Sequence, residues 1–235
     1  MGIEEIQNLV RSHVGINDKE LDDIDRKTDY NHTLTKVEPK VSTDKWNITM
    51  NINEYSYRSD SFDGGDGIVF LGCSLTLGSA LEEHEIWPRV VGNHFNLKVW
   101  NLGRGGEGDD LCFMNAKRWI PKLKPKVVCM LMPPPGRFQF FDYDYKKLFK
   151  EFHSYNLPKK PKFPWLFNPK HLYLSSLKNV MGIKLICDEY NIPFIVESST
   201  EILDWPDKAK DGIHPGPKWQ KRVSNLFIKK IERFF

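Results

Sequence analysis

Cysteine is scarce in this chain, and the four present, Cys73, Cys112, Cys129 and Cys187, show no CxxC spacing. Scattered and mostly in apolar surroundings, they read as buried free thiols in a reducing compartment in preference to a disulfide framework. Excess charge is lacking too: 34 Lys and Arg stand against 31 Asp and Glu, a formal net charge of +3. That balance gives no electrostatic footprint for nucleic acid. No window approaches the roughly 20 apolar residues of a membrane span. Met1-Gly2-Ile3-Glu4-Glu5 has neither the cationic nor the apolar region of a signal peptide, and Ile6 stands where myristoylation wants Ser or Thr. The expectation is a soluble, cytoplasmic chain with no membrane or nucleic-acid partner. A helical zinc motif is also missing. His84-Glu85 begins like one, but Pro88 occupies the place of the second histidine.

What is present suffices for a buried core: 235 residues, 40% of them hydrophobic, allow one full-sized domain with an appendage. From Gly67 onward strand-like runs alternate with helical patterns. The run Ile68 to Leu71 precedes a helix around Glu85 to Phe95, and Leu97 to Asn101 precedes a helix around Asp109 to Trp119. Lys126 to Met132 is the next strand, followed by a helix from about Lys170 to Tyr190, a strand at Pro193 to Glu197, and a last helix from about Pro217 to Phe234. Such βαβ alternation predicts an α/β fold with a parallel sheet covered by helices on both faces, and ligands then bind beyond the carboxyl ends of the strands. Residues 1 to 60 read as an N-terminal extension, and 61 to 235 as the main domain. The stretch Leu157 to Pro169 holds too many prolines for a helix or central strand and reads as a loop or lid.

Three short patterns carry chemistry. Ser74 follows the first strand inside Gly72-Cys73-Ser74-Leu75-Thr76-Leu77-Gly78, a tight turn that presents a hydroxyl and whose Ser74 amide can help bind an oxyanion. Asp211 and His214 stand three apart in Asp-Gly-Ile-His-Pro-Gly, so one loop carries an imidazole and the carboxylate that fixes its tautomer. A serine hydroxyl needs such a base to become nucleophilic. Cys73 is an alternative nucleophile, although nothing around it favours a thiolate. The third pattern, Asn101 to Gly108, contains a literal GxGxxG at Gly103, Gly105 and Gly108. A dinucleotide site would also want an acidic residue about 20 positions onward, and the next strand ends in prolines instead. The other use of the turn is to offer a backbone amide, by preference at Gly106, to a developing oxyanion.

Taken in order, these pieces resemble the SGNH (GDSL-like) hydrolases over residues 67 to 235. Gly72-Cys73-Ser74-Leu75 is similar to the first block of that family, with Cys73 where the commonest form has Asp. Asn101 to Asp110 is similar to the second block, whose oxyanion glycine corresponds to Gly106, and Asp211-Gly-Ile-His214 to the last, which supplies acid and base. The resemblance implies a flavodoxin-like three-layer α/β/α sandwich with esterase, lipase or carbohydrate deacetylase activity and no metal or organic cofactor. One block departs from the pattern. Where the family places an oxyanion asparagine after the third strand, this chain has Pro133-Pro134-Pro135-Gly136-Arg137. Arg137 is the candidate substitute, or a clamp for a substrate carboxylate.

The expected activity is hydrolysis of a small-molecule or glycan carboxylic ester, with O-acetyl groups on a carbohydrate as one substrate class. In this reading Ser74 is acylated, His214 acts as base and acid, and Asp211 orients His214. Aromatics at Phe138, Phe140, Phe163 and Trp165 stand near the expected mouth of the site. The competing expectation is a catalytically weak or inactive domain of the same kind that binds a glycan or serves assembly.

Overall fold

The computed structural model describes residues 40–43, 46–141, 148–152, 169–199, 202 and 204–235. An antiparallel hairpin comes first, β1 (Lys40–Thr43) with β2 (Ile48–Asn51), and Ile48 is buried. The apolar run after it forms β3 (Gly67–Leu71), with all five residues buried. A single helical turn, α1 (Ser74–Leu77), is followed by a 3-10 turn at Glu83–Glu85 and by α2 (Trp87–Phe95). Next come β4 (Lys98–Asn101), α3 (Asp109–Leu123) and β5 (Val127–Met132). The chain ends with the hairpin strands β6 (Arg137–Phe141) and β7 (Leu148–Phe152), then α4 (Pro169–Glu189), β8 (Phe194–Ser198) and α5 (Pro217–Ile231).

One parallel sheet runs in the order β4-β3-β5-β8. Successive side chains of a strand point to opposite faces, and each face of this sheet has its own core. Ile68 and Phe70 join Cys129, Leu131 and Ile195 against Trp87 of α2 and Trp219 and Phe227 of α5. Val69 and Leu71 join Trp100, Val128 and Met130 against Trp119 and Ile120 of α3 and Ile183 of α4. Because both faces are covered, the central strands β3 and β5 read as unbroken apolar runs. The expected three-layer α/β/α sandwich is therefore present, with four strands in the doubly wound order 2-1-3-4 of flavodoxin-like sheets. Connections leave β3 toward β4 and return to β5 on the other side. They diverge above the carboxyl ends of β3 and β5, where sheets of this kind form their crevice.

The β1 strand, the end of α3 and the β6–β7 hairpin differ from the sequence expectation, β1 falling in a stretch that reads as a linker. α3 continues past Trp119 through Pro121 to Leu123, because Ile120 and Leu123 lie on the core face and their burial holds the last turn in place. The β6–β7 hairpin is an addition, built from an aromatic-rich run, Arg-Phe-Gln-Phe-Phe, that suits a pleated surface. The expected lid lies outside the described residues up to residue 168, and Pro169 opens α4. No helix among the described residues is long and apolar enough to cross a membrane.

Several side chains of residues 46–60, on the extension side of the expected division at 60/61, are buried, Ile48, Asn53, Tyr57, Arg58 and Ser59 among them. Tyr57 is buried with the α3 core and its hydroxyl donates to Asn115 Oδ1 at 2.9 Å. Arg58 is only 1% exposed. Its guanidinium donates to the carbonyls of Gly78 at 2.7 Å, Leu81 at 2.8 Å and Leu77 at 3.4 Å, and its Nε to Glu83 at 2.8 Å. Arg89 meets Glu83 from the other side and is gripped bidentately by Asp60 at 2.7 and 3.0 Å. Asp60 also closes the outer edge of β4: its carboxylate accepts the Val99 N–H at 2.7 Å and its own N–H donates to the Val99 carbonyl at 2.9 Å.

Removing the buried guanidinium takes the Arg58 donors from the Leu77 and Leu81 carbonyls and leaves Gly78 only the Leu81 N–H, each orphan costing about 1–3 kcal/mol. Arg58→Ala is therefore expected to lower the unfolding free energy by about 3 kcal/mol or more. Arg58→Lys should fall between, since an ammonium keeps the charge but not the fork of donors. Urea denaturation of the three proteins checks this, and equal midpoints would contradict it.

Candidate active site

β3 delivers the chain into the crevice, and the turn that follows is closed by its own backbone. The amides of Thr76 and Leu77 donate to the Cys73 carbonyl at 3.0 and 2.9 Å, and those of Gly78 and Ser79 to the Ser74 carbonyl at 3.0 and 3.2 Å. Ser74 thus occupies the first position of α1, where a helix leaves amides unpaired. It is 7% exposed. No described acceptor takes its N–H, and no described group hydrogen-bonds its hydroxyl. The adjacent Cys73 points into the α2–α5 core, and all four cysteines are free and buried as expected.

The glycine turn is held flush against α1. Asn101, fully buried at the end of β4, donates from Nδ2 to the Thr76 carbonyl at 2.9 Å and accepts the Gly103 N–H at 3.0 Å. A Cβ on Gly103 would fall 2.7 Å from the Leu77 nitrogen and 2.9 Å from Thr76 Cβ, so only glycine lets the two segments touch. Further along, the Arg104 N–H donates to the Gly72 carbonyl at 3.3 Å, and Glu107 N–H closes a β-turn onto the Arg104 carbonyl at 3.4 Å. Gly106 is the third residue of that turn, at φ +75, and no described acceptor takes its N–H. The turn carrying the candidate oxyanion amide is therefore bonded to the residue two before Ser74.

Asp211 and His214 form the tightest part of the site. His214 Nδ1 lies 2.5 Å from Asp211 Oδ2, while Asp211 Oδ1 accepts the amides of Ile213 and His214 at 2.9 and 3.0 Å. Burial acts to raise the Asp211 pKa, but the hydrogen bonds from the His214 ring and from the His214 and Ile213 amides outweigh it and hold the carboxyl below its ordinary value. The loop that carries both residues is pinned at its base. Asp207 accepts the amides of Lys218 and Trp219 at the start of α5, Gly216 N–H donates back to the Asp207 carbonyl, and the Ala209 N–H donates to the His214 carbonyl at 2.8 Å. Lys210 N–H reaches the Ala80 carbonyl at 3.3 Å, and Gln220 links the Leu75 carbonyl to the Trp87 amide. The His214 loop is thus docked on the segment that follows Ser74.

The Asp211–His214 pair is made, whereas a Ser74–His214 hydrogen bond is not. Arg137 begins β6 and donates from Nη1 to the carbonyl of Glu107, the residue after Gly106, at 3.2 Å. It stands beside the glycine turn. Phe138 is buried and packs near His171, the Phe140 side chain is outside what is described, and Phe163 and Trp165 lie outside the described residues. No group of three or more His, Cys, Asp or Glu among the described residues is placed to hold a metal. Sequence reasoning missed the positioning roles of Arg58, Asn101, Asp207 and Gln220. Of these, only Asn101, a polar residue closing an apolar strand, and Asp207, ten residues before Pro217, leave a readable signal.

No family model matches the sequence, and no curated protein matches it. Solved structures overlap it at low identity. TesA is 10% identical over 73% of this chain and 100% of its own, at a TM-score of 0.38. The psychrotrophic esterase EstA from Pseudoalteromonas sp., inhibited by monoethylphosphonate, is 12% identical over 72% of this chain and 98% of its own, at 0.36. A GDSL-like lipase from Bacteroides thetaiotaomicron is 16% identical over 72% and 88%, at 0.34. With TM-scores below 0.5 these overlaps carry no weight for fold or chemistry, which rest on the chain's own strands and side chains.

A second carboxylate lies beside the crevice. Asp109, 8% exposed at the start of α3, accepts Ser176 Oγ at 2.5 Å on one oxygen, and its other oxygen is buried without a partner. Burial pushes its pKa from 3.8 up to about 6, with Ser176 and Arg137 opposing and Asp110 assisting. The folded chain therefore holds this proton more tightly than the unfolded one, and between about pH 4 and 6 Asp109 makes stability fall as pH rises. Asp109→Asn is expected to be more stable than wild type at pH 7.5, by on the order of 1–3 kcal/mol, with the advantage shrinking toward pH 4. Urea melts at the two pH values check it. A difference independent of pH would mean that Asp109 does not titrate on unfolding.

Proposed function

We propose that the protein hydrolyses carboxylic esters through an acyl-Ser74 intermediate. The observation that carries this reading is the 2.5 Å contact from Asp211 Oδ2 to His214 Nδ1, made by a carboxylate whose other oxygen is fixed by two amides. With Nδ1–H donated to Asp211, the lone pair of His214 is on Nε2, the position from which an imidazole removes a hydroxyl proton. Ser74 Oγ attacks the ester carbonyl as Nε2 takes its proton, and the amides of Ser74 and Gly106 receive the oxyanion. His214 then protonates the departing alcohol, and a water molecule activated by the same base releases the acid. Catalytic hydrogen bonds are often long in the free enzyme and tighten around the substrate, which accommodates the unmade Ser74–His214 bond.

Esters of carbohydrate hydroxyls, O-acetyl groups among them, fall within this reading. The second reading, a weak or inactive glycan-binding or assembly module, is favoured by one observation: the missing third-block asparagine is matched by an arginine bonded to the Glu107 carbonyl. We also infer that the folding unit begins upstream of residue 61, because Tyr57 and Arg58 are among its buried side chains.

A fluorophosphonate probe separates the two readings. Labelling of Ser74, located by peptide mapping, together with a fall in aryl-ester turnover of at least about 10³-fold in Ser74→Ala, is the expected outcome. An unlabelled, folded protein with no esterase activity would establish the module. Arg137 divides the mechanism further. A donor to the transition state lowers turnover by about 10²–10³ with every ester when it is lost, whereas a carboxylate clamp raises KM for anionic esters alone. Unchanged parameters in Arg137→Ala would leave the oxyanion to backbone amides.

A further inference from the structure

The glycine turn has a second face. On it, between Gly103–Gly105 and β2, lies a cleft of about 320 Å³ whose walls include Met50, Ile52, Tyr57 and Leu77, with Arg104 stacked over the Tyr57 ring at 4.1 Å. Its volume falls in the range of about 300–1,000 Å³ typical of small-molecule sites, and its walls are mainly apolar, as such sites are. Met50, Ile52 and Leu77 are only partly buried, so apolar surface faces the opening. Resting on the ester-hydrolase reading, the geometry points to this cleft as the binding site for the acyl chain of the substrate, a linear apolar chain longer than acetyl.

Three features fix the occupant as the acyl side. Leu77 and Ser74 share α1 and stand one turn apart, roughly 5 Å along the helix axis. The rim, Gly103–Gly105, is the stretch of backbone leading directly to Gly106, so a carbonyl seated at the Gly106 amide has the cleft next to it. The leaving alcohol must meet His214 to be protonated, yet no residue of the Asp207–Gly216 loop lines the cleft. The alcohol therefore departs elsewhere, and the chain on the carbonyl carbon is left to fill the apolar space. At about 30 Å³ per water-sized group, the volume holds roughly ten methylene-sized groups. Met50 of β2 and Ile52 just after it are two of the walls, so the segment before residue 60 would set chain-length specificity.

The test uses the full chain and two readouts. The ratio of kcat/KM for 4-nitrophenyl octanoate to that for the acetate is measured in wild type, Met50→Trp and Ile52→Trp, with octanoate binding followed by NMR on the same proteins. A ratio at least tenfold lower in both tryptophan variants, with weaker octanoate binding, is the expected result. Met50→Ala, which cannot crowd the cleft or strain the fold, should shift the preference toward decanoyl esters. Ratios and octanoate binding unchanged in every folded variant would overturn the proposal. If no ester is turned over, binding alone decides: octanoate that binds wild type and is weakened by the tryptophans upholds the cleft while the hydrolase reading falls, and octanoate that does not bind overturns the cleft too.

Discussion

A single buried cation organises the crevice. The Arg58 guanidinium gathers the carbonyls of Leu77, Gly78 and Leu81 at the end of a one-turn helix and the bend after it, of which Gly78 also accepts the Leu81 N–H. Four residues of helix have almost no intrinsic stability, since nucleation is not repaid over one turn. The position of Ser74 therefore depends on what is attached to the far end of its helix. Glu83 balances the charge, Arg89 balances Glu83, and Asp60 anchors Arg89 to β4, so the chain of ion pairs ties α1 to the sheet from which it emerges.

The histidine loop is fixed by a different device. Asp207 and Gly216 close its base and the Asp211 side chain bridges its tip, so the imidazole is oriented by contacts within ten residues of itself. The nucleophile side is held by long-range contacts and the base side by local ones. Joining them falls to Gln220 and the Lys210–Ala80 hydrogen bond, which span the chain from one part to the other. The acyl-serine chemistry proposed here needs both halves, and it needs the substrate to complete the Ser74–His214 link.

The contrast explains what the sequence could disclose. Asp211-Gly-Ile-His214 was readable because its partners are three residues apart, and Ile68 to Leu71 because a strand buried on two faces must be apolar throughout. The four parallel strands and their helices follow from such periodicity. Arg58 was invisible for the opposite reason: carbonyl oxygens accept its bonds, and a carbonyl has no residue-type signature. In a stretch rich in Ser, Asp and Gly it looks like one more exposed charge. The end of α3 was hidden by Pro121, whose usual meaning as a helix stop is overridden by the burial of Ile120 and Leu123. The β6–β7 hairpin was hidden because its aromatics suit a ligand surface as well as a strand.

Asp60 does more than carry a link in that chain of charges. β4 is an edge strand, and the outward N–H and carbonyl of Val99 would otherwise be open to any extended backbone. Asp60 occupies both with its carboxylate and its own amide, imitating a neighbouring strand for the length of one residue and then turning away. Such a stop keeps a sheet from recruiting strands of other chains. The same residue that helps to brace the nucleophile thereby sets where the sheet ends, and a nascent chain that had not yet placed it would present an aggregation-prone border.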